Sequence, residues 1–454
     1  MPNTRALVSY HRRVLPLPPR APGLPLLGST LALVRQPLAF LLAAHAELGP
    51  IFAVHAATRR LIVLAGREAN RFAGREGRDA LVSWPFWGTL AEHRGCPHAI
   101  LAIDGPDHGE QRRLYGDVLS RKLVDRVREG CDALVRAGFG AREGVPLREF
   151  EVRDQTRLLV ARLVHHCLSA GAPPIAEATA RALMEVFRWE TNTLLYGKWP
   201  RFALRLPAYR RHLALAERFL DELAAREAEV EADALGGWFE RIRAGRARNA
   251  RLFTPGDIRF ALLMPFVAGV DTVGATLGFV LLRLYRDAAL RERIAGEVAD
   301  AYAQGVPDSA ALARASALRG LVLECLRLYP AAFGMVRGAA RAFEFEGHRV
   351  PAGSEVMVFT SATHFDARYF AAPERLDVDR HTRDEYAQKH VFMPYGAGPH
   401  VCLGAGMGEA MLMLATAAIV RHHALVPAQP QREFGPRFDP SLVLDPGYRV
   451  RRVA

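Results

Sequence analysis

The chain has 454 residues, of which 50% are hydrophobic and 24% charged, with a net charge of +12. That much apolar side chain is ample for a buried core, so disorder is excluded as the default state, and the length allows one large domain or two to three ordinary ones. The positive balance suits acidic partners, but no compact Lys/Arg tract with interleaved aromatics occurs, which sets nucleic acid aside.

Residues 1–15 carry Arg5, His11, Arg12 and Arg13 and no sustained apolar run, so neither a secretory signal nor a transmembrane anchor is expected. Residues 16–28 hold five prolines and two glycines and must be extended and stiff. They read either as a strap over the folded body or as a linker to a tail. A helix is predicted over 37–48, followed by strands at 51–54 and 61–64 that form a hairpin. Between 80 and 103 the period is lost while Trp84, Phe86 and Trp87 gather with Pro85 and Pro97. That predicts a long irregular loop, with its aromatics serving substrate contact or simple packing. Residues 104–114 read as a turn opening a helix, on which His108 and Arg112 are four apart and share a face. A solvated basic face is the plain alternative.

From 119 to 247 the period is mainly helical, interrupted at 194–207 by a broken apolar and aromatic segment that suits a lid or ordinary packing. Thr254-Pro255-Gly256-Asp257 is a strong helix start, with a Thr cap, Pro at the first helical position and an acid at the third. The helix should reach Asp287, about 45 Å at 1.5 Å per residue. Residues 261–270 are almost wholly apolar and predict burial, yet Asp271 and Thr272 interrupt them. Burying a carboxylate without purpose costs several kcal/mol, so the pair is either functional or a satisfied polar plug. Pro265 removes a backbone hydrogen bond and should bend this helix. A further helix over 317–329 places Glu324 and Arg327 on one face, where they can pair. The alternation at 343–350, the turn at 351–353 and residues 354–359 read as a hairpin.

The five cysteines, Cys96, Cys131, Cys167, Cys325 and Cys402, form no CxxC pair and no zinc-like pattern, which fits a reducing cytoplasm. Cys402 stands apart from the others. It ends the Gly- and Pro-rich stretch 392–404 and precedes an apolar helix predicted from Gly406 to about Val420. Glycines 396, 398 and 404 permit a tight loop pressed against something flat. The helix start offers free N–H groups and a positive dipole end near the sulfur, both of which favour thiolate over thiol. Cys402 is therefore a candidate metal ligand, against the background of buried cysteines that are inert.

This loop resembles the heme-ligand loop of the cytochrome P-450 family, in which Phe, Gly, a basic residue, Cys and Gly recur. Gly398, His400, Cys402 and Gly404 match, while Tyr395 stands where the family usually has Phe. The motifs continue along the chain from Pro16 to about Val443. Residues 268–272 resemble the oxygen-activation motif: Ala268 and Gly269 would leave room for dioxygen, Thr272 would hydrogen-bond it and Asp271 would help pass protons. His108 and Arg112 resemble a heme-propionate clamp, with Arg337 and His400 as further propionate contacts. Ala332, Phe333, Gly334, Met335 and Val336 would line the pocket. Glu324 and Arg327 resemble the Glu-x-x-Arg motif, 78 residues before Cys402. Residues 370–380 match the meander that completes the triad with Arg380 rather than Arg375, and His364 matches a structural position before it. The proline-rich stretch resembles the hinge that follows the anchor in microsomal members.

The resemblance implies a mainly α fold, a large helical domain with small β-sheets, and heme b between the long central helix and the loop of Cys402. One domain would span 1–454: a strap at 1–28, a β-rich part at 29–105, a helical body at 106–330, and hairpin, meander, ligand loop, last helix and strands at 331–454. The implied activity is insertion of one oxygen atom from O2 into a hydrophobic small molecule by a cytoplasmic monomer. Electrons would come from a separate ferredoxin- or flavodoxin-type donor, docked on a basic face of Arg112, Arg113, Arg121, Lys122 and Lys389. Competing readings are a peroxide-driven peroxygenase, against which the Asp271–Thr272 pair argues, a non-oxygenating heme-thiolate isomerase, and a heme-free helical binding protein.

Overall fold

The computed structural model describes residues 15–56, 59–116, 118–142, 144–169, 173–229 and 237–453; Arg5, His11, Arg12 and Arg13 lie outside these. The predicted hairpin forms from Ile51–Ala56 and Arg59–Ala65, paired antiparallel with Ile51 opposite Leu64. Each strand buries four consecutive apolar residues, so both faces of the hairpin are covered, and it joins a larger sheet. Glu355–Phe359 adds in parallel to Arg59–Ala65, Met335–Ala339 follows antiparallel, and the short strand Leu81–Val82 closes the edge. Residues 354–359 therefore join this sheet and not the hairpin read from the alternation. Phe343–Phe345 and His348–Val350 pair only with each other.

The proline-rich stretch is a strap. Ala21 N–H donates to the Ala53 carbonyl (2.8 Å) and Ala53 N–H to that of Pro19 (2.7 Å), so it runs along the first strand. Prolines suit this edge because they bring no donor that the sheet must satisfy.

The segment at 80–103 is not an irregular loop. Trp84–Arg94 is a helix with Pro85 in its first turn and Gly95 at its C-terminal end in the left-handed conformation. Its apolar residues are spread around the axis, which removes the periodic signal. The segment at 194–207 is broken as expected: a widened π turn at Thr191–Leu195, closed by Tyr196 N–H on the Thr191 carbonyl, precedes a 3-10 turn at Arg201–Arg205.

Pro255–Arg286 is the axis of the helical body, 32 residues long. Its start is a capping box: Asp257 N–H donates to Thr254 Oγ1 (3.3 Å) and Thr254 N–H to the Asp257 carboxylate (3.1 Å). His98 N–H also donates to that carboxylate (2.8 Å), tying the helix start to the chain after Cys96. Pro265 leaves the helix unbroken, because its turn is buried and packing holds what the lost hydrogen bond would loosen. The helices Val152–Leu168, Ser316–Leu328 and Ala405–His422 pack around this axis. Pro255–Arg286 and the stretch Gly398–His422 are long and apolar enough to cross a membrane by composition, but 72% and 61% of their apolar windows are buried in the protein. They are core helices.

Candidate active site

The cysteine loop is held by its glycines. Gly398 has φ 76°, and a Cβ there would stand 2.4 Å from the Ala73 carbonyl oxygen, so no other residue fits without moving backbone. Cys402 N–H donates to the Tyr395 carbonyl (2.9 Å), folding the loop back on itself before the helix Ala405–His422 begins. Cys402 is an exposed residue, yet protein surrounds its thiol closely. Burial raises its pKa; the backbone at Gly404 and the charge of Arg112 pull the other way and do not prevail. The expected preference for thiolate is thus overridden in the protein alone, because desolvation penalises the anion more than one turn of helix and one guanidinium favour it.

Basic side chains converge beside this thiol. His108 is buried and stacks on His400, with ring centroids 3.9 Å apart. Burial, then His400 and Arg112, lower the His108 pKa to about 4. His400 Nε2 lies 2.9 Å from Asp104 Oδ1 and 3.0 Å from Ser83 Oγ. Arg337 is buried on the strand Met335–Ala339, and its one side-chain hydrogen bond among the described residues goes to the neighbouring Val336 carbonyl (2.7 Å). Burial lowers its pKa to about 10, opposed by Asp104. Burial also lowers the pKa of Arg112, with Cys402 opposing. Among the described residues the carboxylate that acts on His108, Arg337 and His400 is Asp104, whose own pKa is pushed up by burial and brought down further by His400 and Ser83. Two guanidinium groups, Arg112 and Arg337, thus stand in this region with one carboxylate.

The central helix reaches the same region: Val273 Cγ2 lies 3.5 Å from where a Cβ on Gly408, in the helix after Cys402, would stand. Between buried Phe266 and buried Asp271, Ala268 is exposed and Gly269 half-buried, and Thr272 and Val273 one turn on are half-buried as well. One face of a core helix therefore opens onto a gap. Thr272 Oγ1 donates to the Ala268 carbonyl (2.7 Å) on that face. Asp271, a tenth of the side chain exposed, points elsewhere: it forms an ion pair with Arg157 of Val152–Leu168 and accepts from Ser441 Oγ.

Behind the cysteine loop sits a buried ionic triad. Arg327 Nε donates to Glu324 Oε1 (2.6 Å) and Arg380 Nε to Glu324 Oε2 (3.3 Å), while Tyr386 and the Asp377 N–H also bond this carboxylate. Arg375 contributes only its carbonyl, which accepts from both arginines. His364 connects the triad to the loop: Nδ1 faces the Arg327 carbonyl (3.2 Å) and Nε2 accepts from Met393 N–H (2.9 Å).

A family model described as cytochrome P-450 matches residues 240–449, the part that holds the central helix, the triad and the cysteine loop. Two Streptomyces melanosporofaciens proteins align over most of their length. Cyclooctat-9-en-7-ol 5-monooxygenase is 27% identical over 88% of this chain and 88% of its own, and cyclooctatin synthase is 25% identical over 93% of each. The retinoic acid-bound cyanobacterial CYP120A1 superposes with a TM-score of 0.81 over 96% of this chain and 99% of that one; at 21% identity this speaks for the fold alone.

The chain belongs to the cytochrome P-450 family. It has the P-450 fold and is a heme-thiolate monooxygenase, which uses O2, a substrate and electrons from a redox partner.

The residues of this P-450 fit a heme. An exposed cysteine, the Arg112 and Arg337 guanidinium groups with one carboxylate and an unfilled helix face lie in one region, and a dicarboxylate macrocycle would supply both the missing negative charge and the missing apolar bulk. The sequence did not point to Asp104 and Ser83, whose partner His400 is about 300 residues away, or to Arg157 and Ser441 around Asp271. Phe333, expected in the pocket lining, is instead packed in the core against Phe359 and Phe438. The Tyr395 hydroxyl is buried without a hydrogen-bond partner among the described residues, and its pKa is raised by burial, then by Glu409 and Cys402. A cleft of about 1250 Å³ lies elsewhere, lined by Arg35, Leu42 and Phe438 among others and by none of the cationic set.

Proposed function

We propose that this cytochrome P-450 holds heme b through Cys402 and hydroxylates or epoxidises an apolar small molecule above the Ala268–Gly269 turn. The single observation that carries this is the opening of one face of a buried helix beside the helix that follows Cys402, with the Arg112 guanidinium near the thiol. When bound, the heme supplies oxygen activation and atom transfer. Arg112 and Arg337 would neutralise its two carboxylates and His108 and His400 would hydrogen-bond them, with Asp104 fixing the orientation of His400. Ala268 and Gly269 keep bulk away from the reacting side. Thr272 Oγ holds a proton within reach of that side, and it is free to turn outward because its present acceptor is only its own helix. Asp271 can resupply that proton only after its carboxylate leaves Arg157 or Ser441.

Thr272→Ala is expected to retain heme and fold while product formation falls by roughly 10²-fold, the lower end of what positioned proton transfer contributes. Oxygen uptake should continue and appear as peroxide or water. Stoichiometric product per O2 in that variant would remove Thr272 from the mechanism. A spectral-shift screen of apolar molecules, beginning with the kind of alcohol named for the Streptomyces relative, identifies the substrate.

The domain reads as a single unit over 1–454, monomeric and cytoplasmic, with its electrons supplied by an acidic ferredoxin- or flavodoxin-type protein. Arg113, Arg121, Lys122 and Lys389 are exposed and Arg112 half-buried, and Arg121 reaches Glu409 of the helix after Cys402 only at 3.9 Å, so this face remains largely cationic. The Debye length shrinks from about 10 Å at 0.1 M salt to about 3 Å at 1 M. The second-order rate of reduction by such a donor should fall by about tenfold or more over that range. A flat salt dependence in stopped-flow reduction would exclude an electrostatic dock.

A further inference from the structure

Both oxygens of the Asp271 carboxylate are held by partners from other elements: Arg157 donates to Oδ1 and Ser441 Oγ to Oδ2. The central helix is shaped to admit them. A Cβ on Gly274 would stand 3.0 Å from Arg157 Cγ and 3.1 Å from its Cα, and one on Gly278 would meet Thr156 Oγ1 and Leu444 Cβ at 3.7 Å. These glycines are four residues apart and share a helix face, so the backbone is bare where Val152–Leu168 and the strand Leu442–Leu444 lie against it. An alanine at 274 would press on the Arg157 backbone.

Ser441 is brought to the site by the turn of a hairpin. Pro436–Phe438 and Leu442–Leu444 pair antiparallel, and Asp439 N–H closes the turn on the Ser441 carbonyl (2.8 Å). Leu442 N–H donates to the Ala331 carbonyl (3.2 Å), which pins the hairpin to the chain after Tyr329. Its inner strand is core, with Leu442, Val443 and Leu444 buried. Its outer strand is the wall of an open cleft: Pro436, Arg437 and Phe438 line the space of about 1250 Å³. Ser441 is half-buried at the junction.

A carboxylate so enclosed is protonated through its partners. Arg157 keeps its protons, because a guanidinium ionises only above about pH 12, whereas a hydroxyl both donates and accepts hydrogen bonds. Of the two, Ser441 is the one that can pass a proton on. We propose that Ser441 is the proton inlet of the reaction. Its Oγ gives a proton to Asp271 Oδ2 and takes one from hydronium or a buffer acid on the cleft side, so at Ser441 one O–H bond breaks and one forms. The net change is one proton moved from solvent to the carboxyl group. Neutral Asp271 then loses its Coulomb hold on Arg157 and is free to turn toward Thr272. Once the proton has left, Arg157 draws the anion back to Ser441, which makes Arg157 a positioning residue. This inlet rests on the roles proposed for Asp271 and Thr272 and adds the side from which they are supplied.

The test compares Ser441→Ala, Ser441→Thr and Asp271→Asn in the holoenzyme, with the best apolar alcohol from the spectral-shift screen as substrate. Ser441→Ala should lower product per O2 by about tenfold and enlarge the solvent deuterium isotope effect on product formation, with KM unchanged. Ser441→Thr keeps the hydroxyl and should restore both. A packing role would not follow the hydroxyl in this way. Independently of turnover, the denaturant midpoints of Ser441→Ala, Asp271→Asn and the double variant should be non-additive, which reports the bond itself. If Asp271→Asn forms product per O2 like wild type, the reading of Asp271 fails and the inlet with it. If Asp271→Asn is impaired while Ser441→Ala is not, if Ser441→Thr behaves like Ser441→Ala, or if the midpoints add, the inlet alone is overturned.

Discussion

Cys402→Ser is expected to give a folded protein whose reduced carbon monoxide complex lacks the red-shifted absorption of thiolate ligation and whose oxygenation is lost. The loop geometry rests on Gly398 and on the Cys402 N–H bond to Tyr395, which a serine keeps, so the backbone should survive the change. What disappears is the soft, electron-rich sulfur that favours O–O cleavage. The spectrum of the variant decides the assignment independently of any substrate. An unchanged thiolate-type band would mean that another group is the ligand, and the open thiol beside Arg112 would need a different explanation.

The second large effect is structural. Arg327→Ala should destabilise the fold by about 3–5 kcal/mol, the range seen when one partner of a buried ion pair is removed. Arg327 is fully buried and binds Glu324 through two nitrogens, at 2.6 and 2.9 Å, as well as the carbonyls of His364, Pro373 and Arg375. Its loss strands a carboxylate that Arg380 alone must neutralise. Against a total stability of about 5–15 kcal/mol, such a loss leaves much of the protein unfolded at 37 °C. Denaturant midpoints and heme content of the purified variant measure it. Arg327→Lys should recover little, since an ammonium cannot make the forked contact. A midpoint within error of wild type would show that Glu324 is satisfied without Arg327.

Where the physics is local, the sequence made the fold legible. Thr254, Pro255 and Asp257 announced a helix start that the capping box reproduces, and the C-terminal end at Arg286 lies one residue from the predicted stop. The choice of Arg380 over Arg375 for the triad also agrees with the structure. The helix Trp84–Arg94 was missed because Trp84 faces out while Gly88, Leu90 and Ala91 face in, leaving no stripe; Pro85 and Gly95 were the usable signals. Partners far apart in the chain could not be read at all. Asp104 meets His400, and Asp271 meets Arg157 and Ser441, through tertiary placement that no spacing rule encodes. Desolvation of Cys402 is likewise a property of the assembled site.

The sheet topology bears on how the protein is made. Arg59–Ala65 receives its parallel partner Glu355–Phe359 only after some 290 further residues have been added. At ribosomal speeds of about 5–20 residues per second, the early hairpin waits roughly 15–60 s with one edge unpaired. His108 and Arg112 wait less long for Arg337 and about as long for His400 and Cys402, which share their site. The cofactor cradle is thus completed only once synthesis has passed Cys402, and loading must follow that point. In a cell starved of heme, the expected product is full-length apoprotein rather than truncated intermediates.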